Sequence, residues 1–223
     1  MPRRALALTL LASCVLVSGQ AKAADISPAE TQLFLDEHLR VVKPPSTLRY
    51  GFEETIGRAA PVRAELELTL TARSDGGCCA VSAEQTGGPA FAVLPTLEDA
   101  KANPVILYFL EREIRQMQGM TGGQSSHFRR LIRLALAESA QLRDTTIRYG
   151  GRDLPAREIR IEPYRDDPRR FQYPALAGKA YVFVLADQIA GGVYQIRSIV
   201  LGSAAGAPPL AQSLLTLAEE RTP

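Results

Sequence analysis

Residues 103–142 read NPVILYFLEREIRQMQGMTGGQSSHFRRLIRLALAESAQL, and they hold the largest apolar run after the N-terminal segment. Asn103 is a favourable N-cap, and Pro104 stands where its missing N–H costs nothing. The unbroken run Val105, Ile106, Leu107, Tyr108, Phe109, Leu110 predicts first turns covered on all sides. Beyond it Leu110, Ile114 and Met117 share one face, and Glu111 and Arg115 are spaced for an i,i+4 pair. Thr121-Gly122-Gly123 stops the helix, because glycine supplies a left-handed cap. A second helix follows, with Phe128, Leu131, Ile132, Ala135, Ser139 and Leu142 on its apolar template. Two helices with more apolar surface than they can bury on each other need a sheet to cover.

Strands are expected on both sides of this block. Upstream, Val62–Ala72 alternates Val62, Ala64, Leu66, Leu68, Leu70, Ala72 with charged and hydroxyl residues, the pattern of a strand buried on one side. Ser74-Asp75-Gly76-Gly77 turns it back into a partner strand over 78–85. Leu48, Tyr50, Phe52 and Ile56 mark an earlier strand with Gly51 as a bulge position, and 90–94 a later edge strand. Ser27-Pro28-Ala29-Glu30 is a capping box opening a short helix to about Val42, and Thr96 to Ala102 reads as a helical turn. Downstream, 145–149 and 154–163 form a hairpin, 180–186 a strand buried on both faces, and 193–201 its partner. A linker over 202–209 precedes Leu210, Leu214, Leu217 and Ala218, spaced for a terminal amphipathic helix. The expected class is α+β: a curved antiparallel sheet, an open or incomplete barrel, with an inserted helical pair on one face and N- and C-terminal helices.

Residues 1–23 carry Arg3 and Arg4, an apolar run from Ala5 to Val17, then Ala21-Lys22-Ala23. That order is a cleavable secretory signal, too short for a spanning helix. Leu11-Ala12-Ser13-Cys14 offers a second reading, a lipoprotein acylated at Cys14, against which the apolar run continues to Val17. Export removes Arg3, Arg4 and Lys22, so the 26 basic residues fall to 23 against 24 acidic ones. A nearly neutral mature chain, without a basic stripe or recognisable module, argues against a nucleic-acid binder. Residues 24–201 read as one α+β domain.

Chemistry-bearing motifs are few. Neither H-E-x-x-H, G-x-S-x-G nor a P-loop occurs, and no metal or cofactor site is expected. His127 follows Ser125 and Ser126, but no orienting carboxylate is near in sequence, so an enzyme is the less favoured class. Asp166 and Asp167 stand among arginines and read as a self-neutralised turn before a metal pair. Cys78 and Cys79 are either a redox-capable vicinal disulfide or, the reading favoured, a buried small hydrophobe beside a surface thiol. Arg129, Arg130 and Arg133 are candidates for an anionic headgroup and read more simply as a solvated helix face.

Pro44-Pro45 before Leu48-Arg49-Tyr50, the strand Val62–Ala72, and Gly178-Lys179-Ala180-Tyr181-Val182-Phe183 carry a resemblance to the LolA/LppX-like group of bacterial periplasmic lipoprotein- and lipid-carrier domains. The chain also looks like a member of an exported proteobacterial family, which implies no activity. The LolA/LppX resemblance implies an incomplete barrel around inserted helices, and it transfers no binding residue. The expectation is a periplasmic, non-enzymatic protein holding a lipid or acyl chain against Val105, Ile106, Phe109, Leu110, Met117 and Met120, with Arg129, Arg130 and Arg133 adjacent. The alternative is an envelope structural or protein-interaction protein with a dry core; a hydrolase or redox enzyme comes third.

Overall fold

The computed structural model describes residues 25–88, 91, 95–202 and 208–221. Its frame is one eight-stranded antiparallel sheet in the order β3-β2-β1-β8-β7-β6-β5-β4. The strands are β1 Ser46–Ile56, β2 Val62–Ala72, β3 Cys78–Thr86, β4 Gln141–Tyr149, β5 Arg152–Ile161, β6 Ala180–Leu185, β7 Val193–Val200 and β8 Ala211–Arg221. The sheet is open, with β3 and β4 at its edges, and the helices α2 Val105–Thr121 and α3 Ser125–Glu138 are inserted in sequence between those edges. The expected α+β class, an open antiparallel sheet with an inserted helical pair, is what forms.

Alternation sets the buried face. Leu48, Tyr50 and Phe52 of β1 pair across to Leu68, Leu66 and Ala64 of β2, and Leu48, Tyr50, Phe52, Leu66 and Leu68 are buried. The fourth expected position, Ile56, is 55% exposed, and Glu54 takes the last buried place on that face. Every residue of β6 is buried, as a strand covered on both faces requires. The irregularity expected at Gly51 falls between Arg49 and Tyr50, where β1 meets β8.

The terminal helix is the main correction. Leu210, Leu214 and Leu217 fit a helical spacing, yet Ala211–Arg221 is a strand paired to β1 on one side and β7 on the other. Ser213, Leu215 and Leu217 point into the core at period two. A short leucine-rich run satisfies both periods, and the two unpaired edges it joins decide between them.

Other differences are local. The capping box forms, with Glu30 N–H donating to Ser27 Oγ and Ser27 N–H to Glu30, but α1 is only Pro28–Glu30, continued by a π-turn over Thr31–Leu35. The chain leaves helical geometry at Asp36, well before Val42. Thr96 to Ala102 holds an antiparallel bridge from Leu97 to Val81 in place of a helical turn. α3 stops at Glu138, so Leu142 belongs to β4 and is 38% exposed. Gly122 caps α2 at φ 69° as expected. The signal segment 1–23 with Cys14, most of the strand expected over 90–94, and residues 203–207 of the linker lie outside the described residues. No helix among the described residues is long and apolar enough to cross a membrane.

Candidate ligand-binding site between helix and sheet

α2 enters the core through Asn103. Its Oδ1 accepts from Val105 N–H (3.1 Å), the capping role expected of it, while Nδ2 donates to Tyr50 Oη and to the Gly191 carbonyl (2.8 Å each). One side chain therefore ties the helix start to β1 and to the β6–β7 turn. Val105, Ile106, Phe109 and Met117 are fully buried against the sheet and Leu110 is nearly so, whereas Met120 is 56% exposed.

The same interface contains a charged cluster. Glu113 is fully buried; its Oε1 lies 2.7 Å from Arg112 Nη1 and its Oε2 2.7 Å from Lys179 Nζ. Arg112 Nη2 reaches Glu54 Oε1 at 2.7 Å, and Gln116 Nε2 (2.8 Å) and Ser213 Oγ (3.2 Å) donate to that same oxygen. Lys179 also donates to Gln116 Oε1 (3.1 Å), and the Arg112 guanidinium lies 4.4 Å from the Phe52 ring centre. Burial alone would raise the Glu113 carboxyl. The charges of Lys179 and Arg112, with hydrogen bonds from Lys179 and Ser198, outweigh burial and hold it below the ordinary range. The cluster is thus two cations and two anions, closed between α2, strands β1, β7 and β8, and Lys179 just before β6.

Sequence reading missed this cluster, although a signal was present. Val105, Phe109, Glu113 and Met117 recur every four residues, which places Glu113 in the middle of the buried row. Glu111, expected to pair with Arg115, instead receives a two-pronged contact from Arg129 of α3 (3.0 and 2.8 Å). That contact uses one of the three candidate headgroup arginines. Arg130 and Arg133 are exposed.

Both histidines are engaged. His38 Nδ1 accepts from Asn103 N–H (3.1 Å), which makes Nε2 the donor to the Gln32 carbonyl (2.8 Å). Burial lowers its pKa, partly opposed by that backbone bond. A cleft of about 270 Å³ opens beside it, lined by Gln32, Asp36, Arg157, Leu185 and Asp187 among others and by none of the expected ligand residues. His127 finds the carboxylate its sequence neighbourhood lacked: Nε2 lies 2.7 Å from Asp167 Oδ2, and Tyr173 Oη donates to the same oxygen. Burial would raise the Asp167 carboxyl, but bonds from Tyr173, Arg169 N–H and His127 bring it below its usual value. Ser125 Oγ turns away to Gln118 (2.6 Å). The Asp166–Asp167 pair is split, Asp167 buried and Asp166 exposed, and no metal-holding group occurs among the described residues.

Cys78 and Cys79 are joined in a vicinal disulfide, with Cys79 buried and Cys78 partly so. The sequence reading leaves this bond open and favours a buried small hydrophobe beside a surface thiol. The peptide bond between the two is cis, with the Cα atoms 3.1 Å apart, and the alternation of an ordinary strand does not hold at this pair.

No protein-family model matches the chain, and no curated protein does. Among the solved structures similar to it are a lipoprotein and a LolA superfamily protein. The Mycobacterium tuberculosis lipoprotein LppX is 10% identical over 88% of this chain and 98% of its own, with a TM-score of 0.37. A LolA superfamily protein from Nitrosomonas europaea is 7% identical over 86% of this chain and 92% of its own, with a TM-score of 0.23.

Proposed function

We propose that the chain is an exported, non-enzymatic envelope protein that takes up a lipid or other acyl-chain ligand between the sheet and the α2–α3 pair. Export is supported by residues 1–23. The observation that carries the ligand reading is the ionic cluster of Glu54, Arg112, Glu113 and Lys179 inside an otherwise apolar interface. A permanent core gains little from buried ion pairs, since well-packed apolar residues of the same volume do as well or better. An interface that must part gains a good deal. When the helices lift, four charges regain water, which offsets part of the cost of exposing Val105, Ile106, Phe109, Leu110 and Met117. Those side chains, with Leu48, Phe52, Leu66 and Leu68 facing them, would then line an acyl chain. Docking of a partner strand on the β4 edge is disfavoured, because Arg143–Glu158, Arg148–Asp153 and Arg157–Asp144 charge that edge.

The test is uptake of a polyene fatty acid that fluoresces in apolar surroundings, by wild type and by Glu113→Leu/Lys179→Met. Wild type should bind it, and the apolar variant should fold as well but bind more slowly. Absence of binding by wild type, or equal rates in the two proteins, contradicts the reading.

A further inference from the structure

We infer that residues 165–172 and the adjoining face of α3 form a docking surface for an anionic phospholipid bilayer. Phe171, on the 3₁₀ turn Arg170–Gln172, is 74% exposed, more than any other large apolar side chain among the described residues. A single exposed apolar residue is ordinary. This one is set among cations. Arg169 and Arg170 immediately precede it, both exposed, and neither side chain has a carboxylate within ion-pair reach among the described residues. Arg165 is exposed beside Glu162, which it shares with Arg160, so Asp166 is the one exposed carboxylate of the loop.

The loop is clamped to α3 from beneath. Buried Asp167 accepts from His127, from Arg169 N–H (3.0 Å) and from Tyr173, and the Tyr173 ring meets Phe128 edge-on at 6.0 Å. His127, Arg130 and Leu134 then follow one another along a single helix face at i, i+3 and i+7. Arg130 is exposed without an acidic partner among the described residues, and Leu134 is 42% exposed. The clamp sets the loop that carries Arg169, Arg170 and Phe171 against the helix that carries Arg130 and Leu134. Aromatic rings settle at the headgroup boundary, and arginine side chains lay their stems on apolar surface while pairing with phosphate. A preformed surface needs no ordering on contact. The inference stands whether or not the helix–sheet interface takes a ligand, since the groups that would meet the bilayer, Phe171, Leu134, Arg130, Arg169 and Arg170, are exposed.

The experiment is co-sedimentation of the chain, as the cell processes it, with phosphatidylethanolamine vesicles prepared with and without phosphatidylglycerol. Binding should require phosphatidylglycerol and weaken with added salt. Phe171→Ser should reduce it about tenfold, and Arg169→Gln and Arg170→Gln about fivefold each, with far-UV dichroism and melting unchanged. Equal binding to both vesicle types, or a Phe171→Ser variant that binds like wild type, overturns the inference. Capture by an acidic protein without vesicle binding overturns it too.

Discussion

The Glu113 carboxylate lies 2.7 Å from the Lys179 ammonium, and the two side chains are 0% and 3% exposed, in the layer where the helical pair meets the sheet. Leaving either charge alone there is costly. Glu113→Gln or Lys179→Met should each lower stability by about 3–5 kcal/mol in urea unfolding, while Glu113→Leu/Lys179→Met together should be near neutral or stabilising. Additive losses in the double variant would show that the two do not act as a pair.

Stability should fail at both ends of the pH scale. The folded Glu113 carboxyl titrates below its ordinary 4.5, so its contribution is present above that value and is lost as pH falls below it; Asp167 acts in the same direction. Tyr50, Tyr164 and Tyr181 are buried, and burial raises each phenol above its ordinary 10.0. Their contribution is complete below pH 10 and is lost as pH rises past it, because the unfolded chain ionises first. Melting temperature against pH should form a plateau that begins to fall below about 6.5, where the unfolded chain protonates His38 and the folded ring resists it, falls further below about 4.5, and falls again above about 10. A flat profile through pH 3 would contradict the Glu113 assignment.

Asn103→Ala should cost about 2–3 kcal/mol, since the Gly191 carbonyl and the Tyr50 hydroxyl both lose a buried partner, although Tyr50 keeps its bond to the Val193 carbonyl. Gly191→Ala should cost at least about 2 kcal/mol. Its φ is +73°, and an added Cβ would come within 2.5 Å of Leu48 and 2.8 Å of Asn103 Nδ2. Urea denaturation measures both. A silent Asn103→Ala would mean the helix start is held by something else.

Thiol titration of the processed protein under denaturing conditions should find Cys78 and Cys79 unreactive until a reductant is added. Because neighbouring residues enclose no loop, reduction should leave the melting temperature within about 3 °C. Two reactive thiols before reduction would contradict the disulfide.

Regular one-sided patterns were legible from residue order alone. Val62–Ala72 announces its strand, Gly122 its cap, and the Ser27 capping box its helix start, because each depends on neighbours in sequence. What escaped depends on partners far along the chain. β8 is a strand because β1 and β7 have vacant edges on either side of it. Glu113 drew no reading because its partner Lys179 lies far along the chain, and His127 looked unsupported until Asp167 was placed beside it. The candidate ligand residues were read as surplus apolar surface. In the folded chain Val105, Ile106, Phe109 and Met117 are closed against the sheet, which makes separation of the two layers the central question.

The most direct measurement is native mass spectrometry of the protein isolated without detergent from its own envelope. The account predicts a species carrying a fatty-acid or phospholipid adduct that dissociates on activation. A clean ligand-free mass, unchanged after incubation with extracted envelope lipid, would contradict it.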